Sequence, residues 1–266
     1  MPARLISIFA PLAVGILFLL LWQGVCYFWH IPPYLMPAPS DIARSLFSNI
    51  DTLCHALYST LTVTLAALCV SVVLGVLVAF VLVQHPLIER SLMPYVVLMQ
   101  VTPVVALAPL IIILVKTTLL ALVICATLIA IFPIISNTLQ GFKSVDPGLE
   151  AFFRMHKASR LKTLLRLQIP SALPMFMAGL QISSGLALVG AVVAEFVAGT
   201  GGNSAGLAYE ILQAGFQMDI PRMFAALFMI TLTGLALYMA TSSIRKLVLH
   251  NRVQHYGVSS VKQDDD

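Results

Sequence analysis

The chain has 266 residues, of which 59% are hydrophobic and only 10% are charged, and its formal net charge is +4. Soluble domains carry about 25% charged residues, and a soluble fold of this length has too little core to hide so many apolar side chains. The composition therefore predicts an integral membrane protein and excludes a soluble enzyme or binding module.

Six apolar runs predict an all-α, polytopic membrane protein of about six transmembrane helices, because a bilayer core requires roughly 20 apolar residues per helix. The first run is longer than the roughly 7–15-residue core of a cleavable signal, so we expect it to be a retained anchor. The predicted spans are Leu5–Trp29, Leu57–Val83, Met93–Val115, Thr117–Leu139, Ala172–Ala194 and Met223–Ile244.

Prolines interrupt the third and fourth predicted spans, at Pro94, Pro103, Pro109 and Pro133. A proline removes a backbone donor that lipid cannot replace, so such kinks normally face other helices or a water-filled path. Both a packing kink and a kink that lines a pathway are consistent with these positions.

The runs divide the chain into four segments. Residues 1–30 form the N-terminal anchor helix, and residues 31–56 form an outer, periplasmic connection with an amphipathic helix. Ile42, Leu46 and Ile50 share one face of that helix, which we expect to lie on the membrane surface. Residues 57–246 form a core of five helices with a cytoplasmic loop at 141–168, and residues 247–266 form a polar cytoplasmic tail.

The cations predict the orientation. Of 15 Lys and Arg residues, three fall on one side of the predicted membrane, and the other twelve share the side of both termini. The positive-inside rule places that side, with both termini, in the cytoplasm. Topology thus accounts for the positive net charge, and no nucleic-acid partner is required. The three outer cations are Arg44, Lys116 and Arg222.

The four cysteines have no metal-like spacing. Cys26 and Cys54 both fall towards the outer face, so the sequence leaves a disulfide between them open.

The loop at 141–168 is the most informative segment. An apolar group, Ala151, Phe152, Phe153 and Met155, lies in its middle among cations, and Asp146-Pro147 is a strong helix start. A short helix with exposed aromatic side chains either folds back onto its own helices or docks into a partner.

The segment from Ser144 to Leu180, SVDPGLEAFFRMHKASRLKTLLRLQIPSALPMFMAGL, resembles the signature loop of binding-protein-dependent ABC importer permeases. Lys157 stands at the signature glycine, thirteen residues before Pro170, and Arg154 and Ala158-Ser159 match the usual residues. Ala151 stands at the signature Glu position, with Glu150 one residue early. We expect from the lysine that the turn after this helix needs no positive φ.

The resemblance extends over about Tyr34 to Lys246 and is strongest to the permeases for nitrate, sulfonates, taurine and thiamine-pathway pyrimidines. YLMPAPSDI, LMQVTPVVALAPLIIIL and GLALVGAVVAEFVAG carry it, whereas the short turn around Lys116 departs from it. The resemblance implies a type I ABC importer permease fold in a bacterial inner membrane. It also implies an ATPase-coupling loop made of Glu150, Ala151, Phe153, Arg154, Lys157, Ala158 and Ser159.

The partners follow from the same resemblance and from an absence. The chain has no GxxxxGK[ST] motif, so ATP must be bound by a separate subunit, and we expect no cofactor in this chain. The implied complex has two permeases, two ATPases and a periplasmic solute-binding protein. The permeases also contact membrane lipids. A permease homodimer is the simplest assembly, because the fifth helix offers small residues at packing spacing. The same residues are equally consistent with packing inside one subunit: Ala187, Gly190, Ala191, Ala194 and Ala198.

Polar residues at membrane depth are the candidates for a pathway or gate: Gln100, Thr102, Pro103, Gln181, Ser184 and Glu195. Glu195 falls where the fifth span meets the outer interface. It has either a structural role, by capping or pairing at the gate, or a direct role in gating or in contact with the binding protein.

Three other functional classes have to be weighed against this interpretation. A secondary transporter usually carries ion-coupling carboxylates near the midplane, and the predicted spans have none there; a passive channel also lacks an ATP site. Residues 202–206 fit the GxSxG pattern of serine hydrolases, but that elbow requires a preceding strand, and here a transmembrane helix precedes it. The transported solute is not determined by the sequence.

Overall fold

The computed structural model of the protein describes residues 2–199 and 205–253, and all the regular structure within those ranges is helical. A π-helical turn, Leu164–Gln168, joins the eighth helix to the ninth. The helices are α1 (Pro2–Phe28), α2 (Pro39–Ser48), α3 (Ile50–Val83), α4 (Pro86–Val101), α5 (Val104–Leu114), α6 (Thr118–Lys143), α7 (Pro147–Met155), α8 (Arg160–Thr163), α9 (Ile169–Ala198), α10 (Leu207–Phe216) and α11 (Ile220–Val253).

Four segments of the described chain are long and apolar enough to cross a membrane: α3, α6, Leu164–Ala198 (α9 with the π-helical turn before it) and α11. The pair α4 and α5 counts as a fifth span if the two helices are taken together. Helix α1 has 27 residues, and its last part, Ala13–Phe28, is also apolar. The predicted all-α membrane architecture is therefore confirmed.

The third predicted span is not one helix. Helix α4 ends at Val101, α5 begins at Val104, and the two axes are bent by 92°. The residue before a proline is driven out of the helical region, and Thr102, which precedes Pro103, is extended (φ −69°, ψ 124°). Pro94, Pro109 and Pro133 lie inside continuous helices, so the chain breaks only at Pro103 among these four prolines.

Helices α6 and α9 form the most extensive helix pair, with α3 packed against both. Their approach is close because of small residues: a Cβ built on Gly190 would lie 2.8 Å from Ala126 Cα. Ala187, Ala191 and Ala194 are fully buried within this single chain. Of the two arrangements that the sequence left open for these small residues, the structure shows packing within one chain, at the seam between α9 and α6.

The sequence predicted that the apolar face of α2 lies on the membrane surface, but in the structure this face packs against the protein. Ile42 and Leu46 pack on a buried cluster made by α3, α10 and α11, whose members are Leu53, Ala56, Leu207, Ala225, Ala226 and Met229. Ile50, the third residue of the expected face, begins α3 instead. The outer connection is thus part of the folded protein.

Cys26 and Cys54 are both free, so the disulfide that the sequence left open is absent. Cys26 is buried, and its thiol donates to the Met36 carbonyl at 3.8 Å.

The last two predicted spans are longer than expected. The fifth begins before Ala172, since the helical path runs without interruption from Leu164. Helix α11 continues to Val253, past the predicted start of the polar tail at residue 247, and residues 254–266 lie outside the described chain.

Candidate functional site: helix α7 and the polar groups of the membrane domain

Helix α7 is built by local interactions. The Asp146 carboxylate accepts hydrogen bonds from the Gly148 and Leu149 amides, at 2.6 and 3.3 Å, and Pro147 occupies the first turn. Aspartate at an N-cap satisfies backbone donors that a short helix otherwise leaves free. Glu150 pairs with Arg154 one turn later, at 3.2 Å. The sequence thus forms the predicted helix without help from neighbouring elements.

The apolar face of α7 is open. Leu149, Phe152 and Met155 are 51%, 54% and 80% exposed, and no other described helix packs extensively against α7. Of the two outcomes weighed from the sequence, folding back onto its own helices is therefore not observed in the described chain. An exposed apolar patch rimmed by polar residues is typical of a partner-binding surface.

The predicted coupling residues divide into two groups. Phe153 and Ala158 are half-buried, whereas the other five are exposed: Glu150, Ala151, Arg154, Lys157 and Ser159. The predicted list omitted Leu149, Phe152 and Met155. The i, i+3 spacing of Leu149 and Phe152 was the signal that could have identified the open face.

The turn after α7 corrects one expectation. Lys157 has φ 48°, so the turn does require a left-handed residue, and lysine adopts it in place of glycine. Its amide donates to the Arg154 carbonyl at 3.0 Å, and the next amide, of Ala158, donates to Phe153 at 3.0 Å. These bonds close the helix end, so the geometry expected of the signature glycine is kept despite the substitution.

Three candidate pathway residues surround the bend between α4 and α5. Gln100 and Pro103 are exposed, and Thr102 donates its hydroxyl to the Leu98 carbonyl at 2.7 Å. The bend therefore brings polar atoms to an open surface of the membrane domain. The threonine hydroxyl, in contrast, is used to close the end of α4.

Gln181 and Ser184 lie on α9 but are used differently. Ser184 is 1% exposed, and its hydroxyl donates to the Gln181 carbonyl at 2.8 Å. This hydroxyl bonds to a backbone carbonyl of its own helix and is not open to a path. The Gln181 side chain is half-buried, and its Oε1 accepts a hydrogen bond from Arg245 at 3.3 Å. Sequence reasoning assigned Arg245 only to the cytoplasmic cations.

Glu195 is not at an exposed interface, since it is 3% exposed. Its Oε2 accepts hydrogen bonds from the Thr60 hydroxyl at 3.1 Å and from the Ala208 amide at 3.2 Å. Thr60 in turn accepts from the Leu207 amide at 2.9 Å. Glu195 and Thr60 together therefore cap the N-terminus of α10 and join three helices, α3, α9 and α10.

The approach of the backbone to Glu195 is unusually close at Gly206. A Cβ built on this residue would lie 2.1 Å from the Glu195 carboxyl carbon. Glycine is therefore required at the position where the chain enters α10. We define these four residues, Thr60, Glu195, Gly206 and Ala208, as the outer cap.

A second buried polar pair holds α10, and sequence reasoning did not identify it. Glu210 on α10 is 4% exposed and pairs with Arg222 on α11 at 2.5 Å. The Arg222 amide also bonds to the Asp219 carboxylate at 3.2 Å. Arg222 was expected only as one of the few outer cations; in the structure it fixes α10 against α11.

The described residues contain no group of three or more His, Cys, Asp or Glu side chains placed to hold a metal ion.

These features define a class: a multi-pass helical membrane protein whose short helix α7 presents an exposed apolar face. The chain matches the family of binding-protein-dependent transport system inner membrane components over residues 71–252, and it belongs to that family. It is an ABC importer permease subunit, with the fold of the type I importers.

Two curated relatives and one solved structure illustrate the similarity. A probable ABC transporter permease protein of Haemophilus influenzae is 30% identical over 239 residues, which cover 88% of this chain and 94% of the relative. The formylaminopyrimidine transport permease protein ThiX of Halalkalibacterium halodurans is 32% identical over 218 residues, with 82% and 86% covered. The inward-facing methionine transporter MetNI has a TM-score of 0.66 at 19% identity, with 76% of this chain and 98% of that chain covered.

Proposed function

We propose that this chain carries a small solute across a bacterial inner membrane as part of a complex energised by ATP. Two copies of the chain form the path, two separate ATPase chains bind the nucleotide, and a periplasmic binding protein delivers the solute. Both termini and α7 lie on the cytoplasmic side, and this chain binds no cofactor of its own. The family membership and the placement of the cations support this arrangement.

The observation that carries the proposal is the open face of α7. A nine-residue helix with three exposed apolar side chains has no partner among the described helices, although its ends are capped and its backbone is ordered by local bonds. Helix-in-groove docking uses such a face, and the flanking Arg154 and Lys157 are placed to pair with acidic groups at the rim of a groove. We assign this groove to the ATPase.

The solute belongs to the class of small molecules that related permeases carry, of the sulfonate, nitrate or thiamine-precursor (pyrimidine) type. One 32% identical relative is named for formylaminopyrimidine and another relative for aliphatic sulfonates. The binding protein selects the solute before it reaches the permease, so the identity of that partner determines the substrate.

The docking proposal is tested by placing charge on the open face of α7. The double variant Leu149→Asp, Phe152→Asp introduces two carboxylates where apolar contact is proposed. We expect the amount of tagged ATPase that co-purifies with the permease to fall at least roughly tenfold. The two apolar contacts removed are together expected to contribute about 1.4 kcal/mol or more. The melting temperature of the membrane domain should not change, because these side chains are exposed.

The matched control is Gln84→Asp, which adds a carboxylate to an exposed position at the end of α3, where α4 follows. It should leave ATPase binding unchanged. Undiminished ATPase binding by the α7 double variant, together with normal uptake, would show that α7 is not the docking site.

The energy source is tested separately by reconstitution. Uptake in liposomes should require the permease, the ATPase, ATP and the binding protein together, and it should stop when the P-loop lysine of the ATPase is replaced. Concentrative uptake by this chain alone, driven by a proton or sodium gradient, would instead identify a secondary transporter.

A further inference from the structure

An arginine and a glutamine meet within the membrane domain, at a distance from both the outer cap and α7. Arg245 of α11 donates through Nη1 to Gln181 Oε1 of α9 at 3.3 Å. The two residues are 64 positions apart, so this contact is formed only by the packing of α9 against α11.

The depth of this contact follows from neighbouring contacts. Ser183 of α9 donates to the Ala130 carbonyl at 2.6 Å, and Gly179 approaches the Pro133 carbonyl. Gln181 therefore lies beside the middle of α6, which runs from Thr118 to Lys143. Its side chain is therefore at the level of the middle of this apolar span rather than at either of its ends.

Arg245 approaches this level from the cytoplasmic end of α11. A Cβ built on Gly234 of α11 would contact Leu188 of α9 at 3.3 Å, which aligns the two antiparallel helices. From that contact, Arg245 lies about 6 Å closer to the cytoplasmic end than Gln181, at a rise of about 1.5 Å per residue. Helix side chains lean towards the N-terminus of their helix, so Arg245 leans inwards and Gln181 leans towards it.

The charge of Arg245 is not neutralised within the described chain. Three cations there form ion pairs, Lys143 with Glu89, Arg154 with Glu150 and Arg222 with Glu210, and Arg245 is not among them. Its only polar partner in those residues is a neutral amide, and its side chain remains exposed. A cation at membrane depth is costly and by default marks a functional site.

The surface beside the pair is open as well. Ile182 is 51% exposed, and nothing lies within 4 Å of a Cβ built on Gly185, one turn further along α9. Ile182 and Gly185 thus form an exposed stripe of α9 that continues outwards from the Arg245–Gln181 pair. Helix α9 is also the helix that packs against most of the membrane domain.

We propose that Arg245, held by Gln181, is an oxyanion-binding site on the solute path, which favours solutes with a carboxylate, sulfonate or phosphate group. The guanidinium offers further N–H donors in a planar fork, and Gln181 positions it by using one of them. This inference rests on the proposed function, because it takes the exposed stripe of α9 as the wall of the path. The same chemistry would also bind the headgroup of an anionic lipid, although the arginine leans away from the cytoplasmic surface.

The test reads charge selectivity in the variant Gly185→Cys, which leaves both residues of the pair in place. The purified permease–ATPase complex is treated with a sulfonate-bearing and a trimethylammonium-bearing methanethiosulfonate reagent, and modification of the introduced thiol is followed by peptide mass spectrometry. We expect the ratio of sulfonate labelling to trimethylammonium labelling at this thiol to be at least roughly threefold higher than in a variant that also carries Arg245→Gln. Arg245→Lys should retain the preference, and Lys246→Gln, the adjacent exposed cation, should not alter it.

Three results would overturn the proposal. The first is a reagent preference that Arg245→Gln leaves unchanged, and the second is no labelling of the introduced thiol by either reagent. The third is protection of that thiol by phosphatidylglycerol vesicles but not by phosphatidylcholine vesicles, in a manner that depends on Arg245, since this would assign the pair to a lipid headgroup. Co-purification of the ATPase in the same samples shows separately whether the permease function stands.

Discussion

Two short helices flank the long segment Leu164–Ala198, and they are held in opposite ways. Helix α7, with nine residues, precedes it and is stabilised by its own cap and one local ion pair. Helix α10, with ten residues, follows it and is fixed by buried contacts to α3, α9 and α11.

The difference shows which of the two helices finds all its main contacts within this chain. The polar groups of α10 find partners within this polypeptide, whereas the apolar face of α7 remains exposed to solvent. A helix that is capped but not packed is ready for an external partner at a small ordering cost. The following predictions test whether α10 is an integral part of the fold and α7 an independent unit.

The largest effect is expected for Arg222→Ala, because it leaves Glu210 buried without its cation. Breaking a buried pair in this way costs about 3–5 kcal/mol, so the melting temperature in detergent should fall clearly. The double variant Glu210→Leu, Arg222→Leu should recover most of the loss, since it removes both charges. If Arg222→Ala melts like the wild type, α10 does not depend on this pair.

Gly206→Ala tests the outer cap. The added methyl would overlap the Glu195 carboxylate, so the cap must shift, at a cost of about 1–3 kcal/mol. Gly215→Ala is the matched control on the same helix, where nothing lies within 4 Å of the new Cβ; it should be neutral or slightly stabilising. Equal melting temperatures for the two variants would contradict the close approach at Gly206.

Asp146→Ala should loosen α7 without affecting the membrane domain. Loss of the N-cap costs about 1 kcal/mol, which corresponds to roughly fivefold faster hydrogen exchange in the amides of α7. The global melting temperature should stay the same, because α7 is not packed on the other helices. Asp146→Asn keeps a side-chain acceptor and should exchange almost as slowly as the wild type. A drop in global melting temperature would show that α7 belongs to the folded core.

The smallest effect is expected for Lys157→Gly. A lysine in the left-handed region bears a strain of roughly 1 kcal/mol, and glycine removes it but loses part of the gain to its greater freedom in the unfolded state. Hydrogen exchange at the end of α7 should therefore slow slightly. Lys157→Ala removes the same charge but keeps the strain, so exchange that slows equally in both variants would assign the effect to charge.

Much of the fold was predictable because hydropathy and helix start signals are local. The lengths of the apolar runs indicated the spans, and Asp146-Pro147 indicated α7. The break at Thr102–Pro103 was not separable from the other proline positions, since Pro94, Pro109 and Pro133 are accommodated within continuous helices. Whether a proline bends a helix or ends it depends on its neighbours in space.

The polar sites were less predictable, because their partners are distant in sequence. Thr60 and Glu195 are 135 positions apart, and Gln181 and Arg245 are 64 apart. The sequence identified Glu195 and Gln181 as polar groups in apolar runs, but it could not show that one is enclosed and the other open. The conformation of Lys157 was missed for a different reason: residue type alone does not determine φ when backbone hydrogen bonds at a helix end impose it.

The 92° bend between α4 and α5 has a consequence for how lipid surrounds the molecule. At about 1.5 Å per residue, the two helices are roughly 24 and 16 Å long, so neither alone crosses a hydrocarbon layer of about 30 Å. Their junction at Thr102 and Pro103 leaves backbone groups without helical partners at a depth where acyl chains offer none. This edge of the protein is therefore a poor boundary with the bilayer, and a single copy dispersed in lipid would drive local thinning or water entry there.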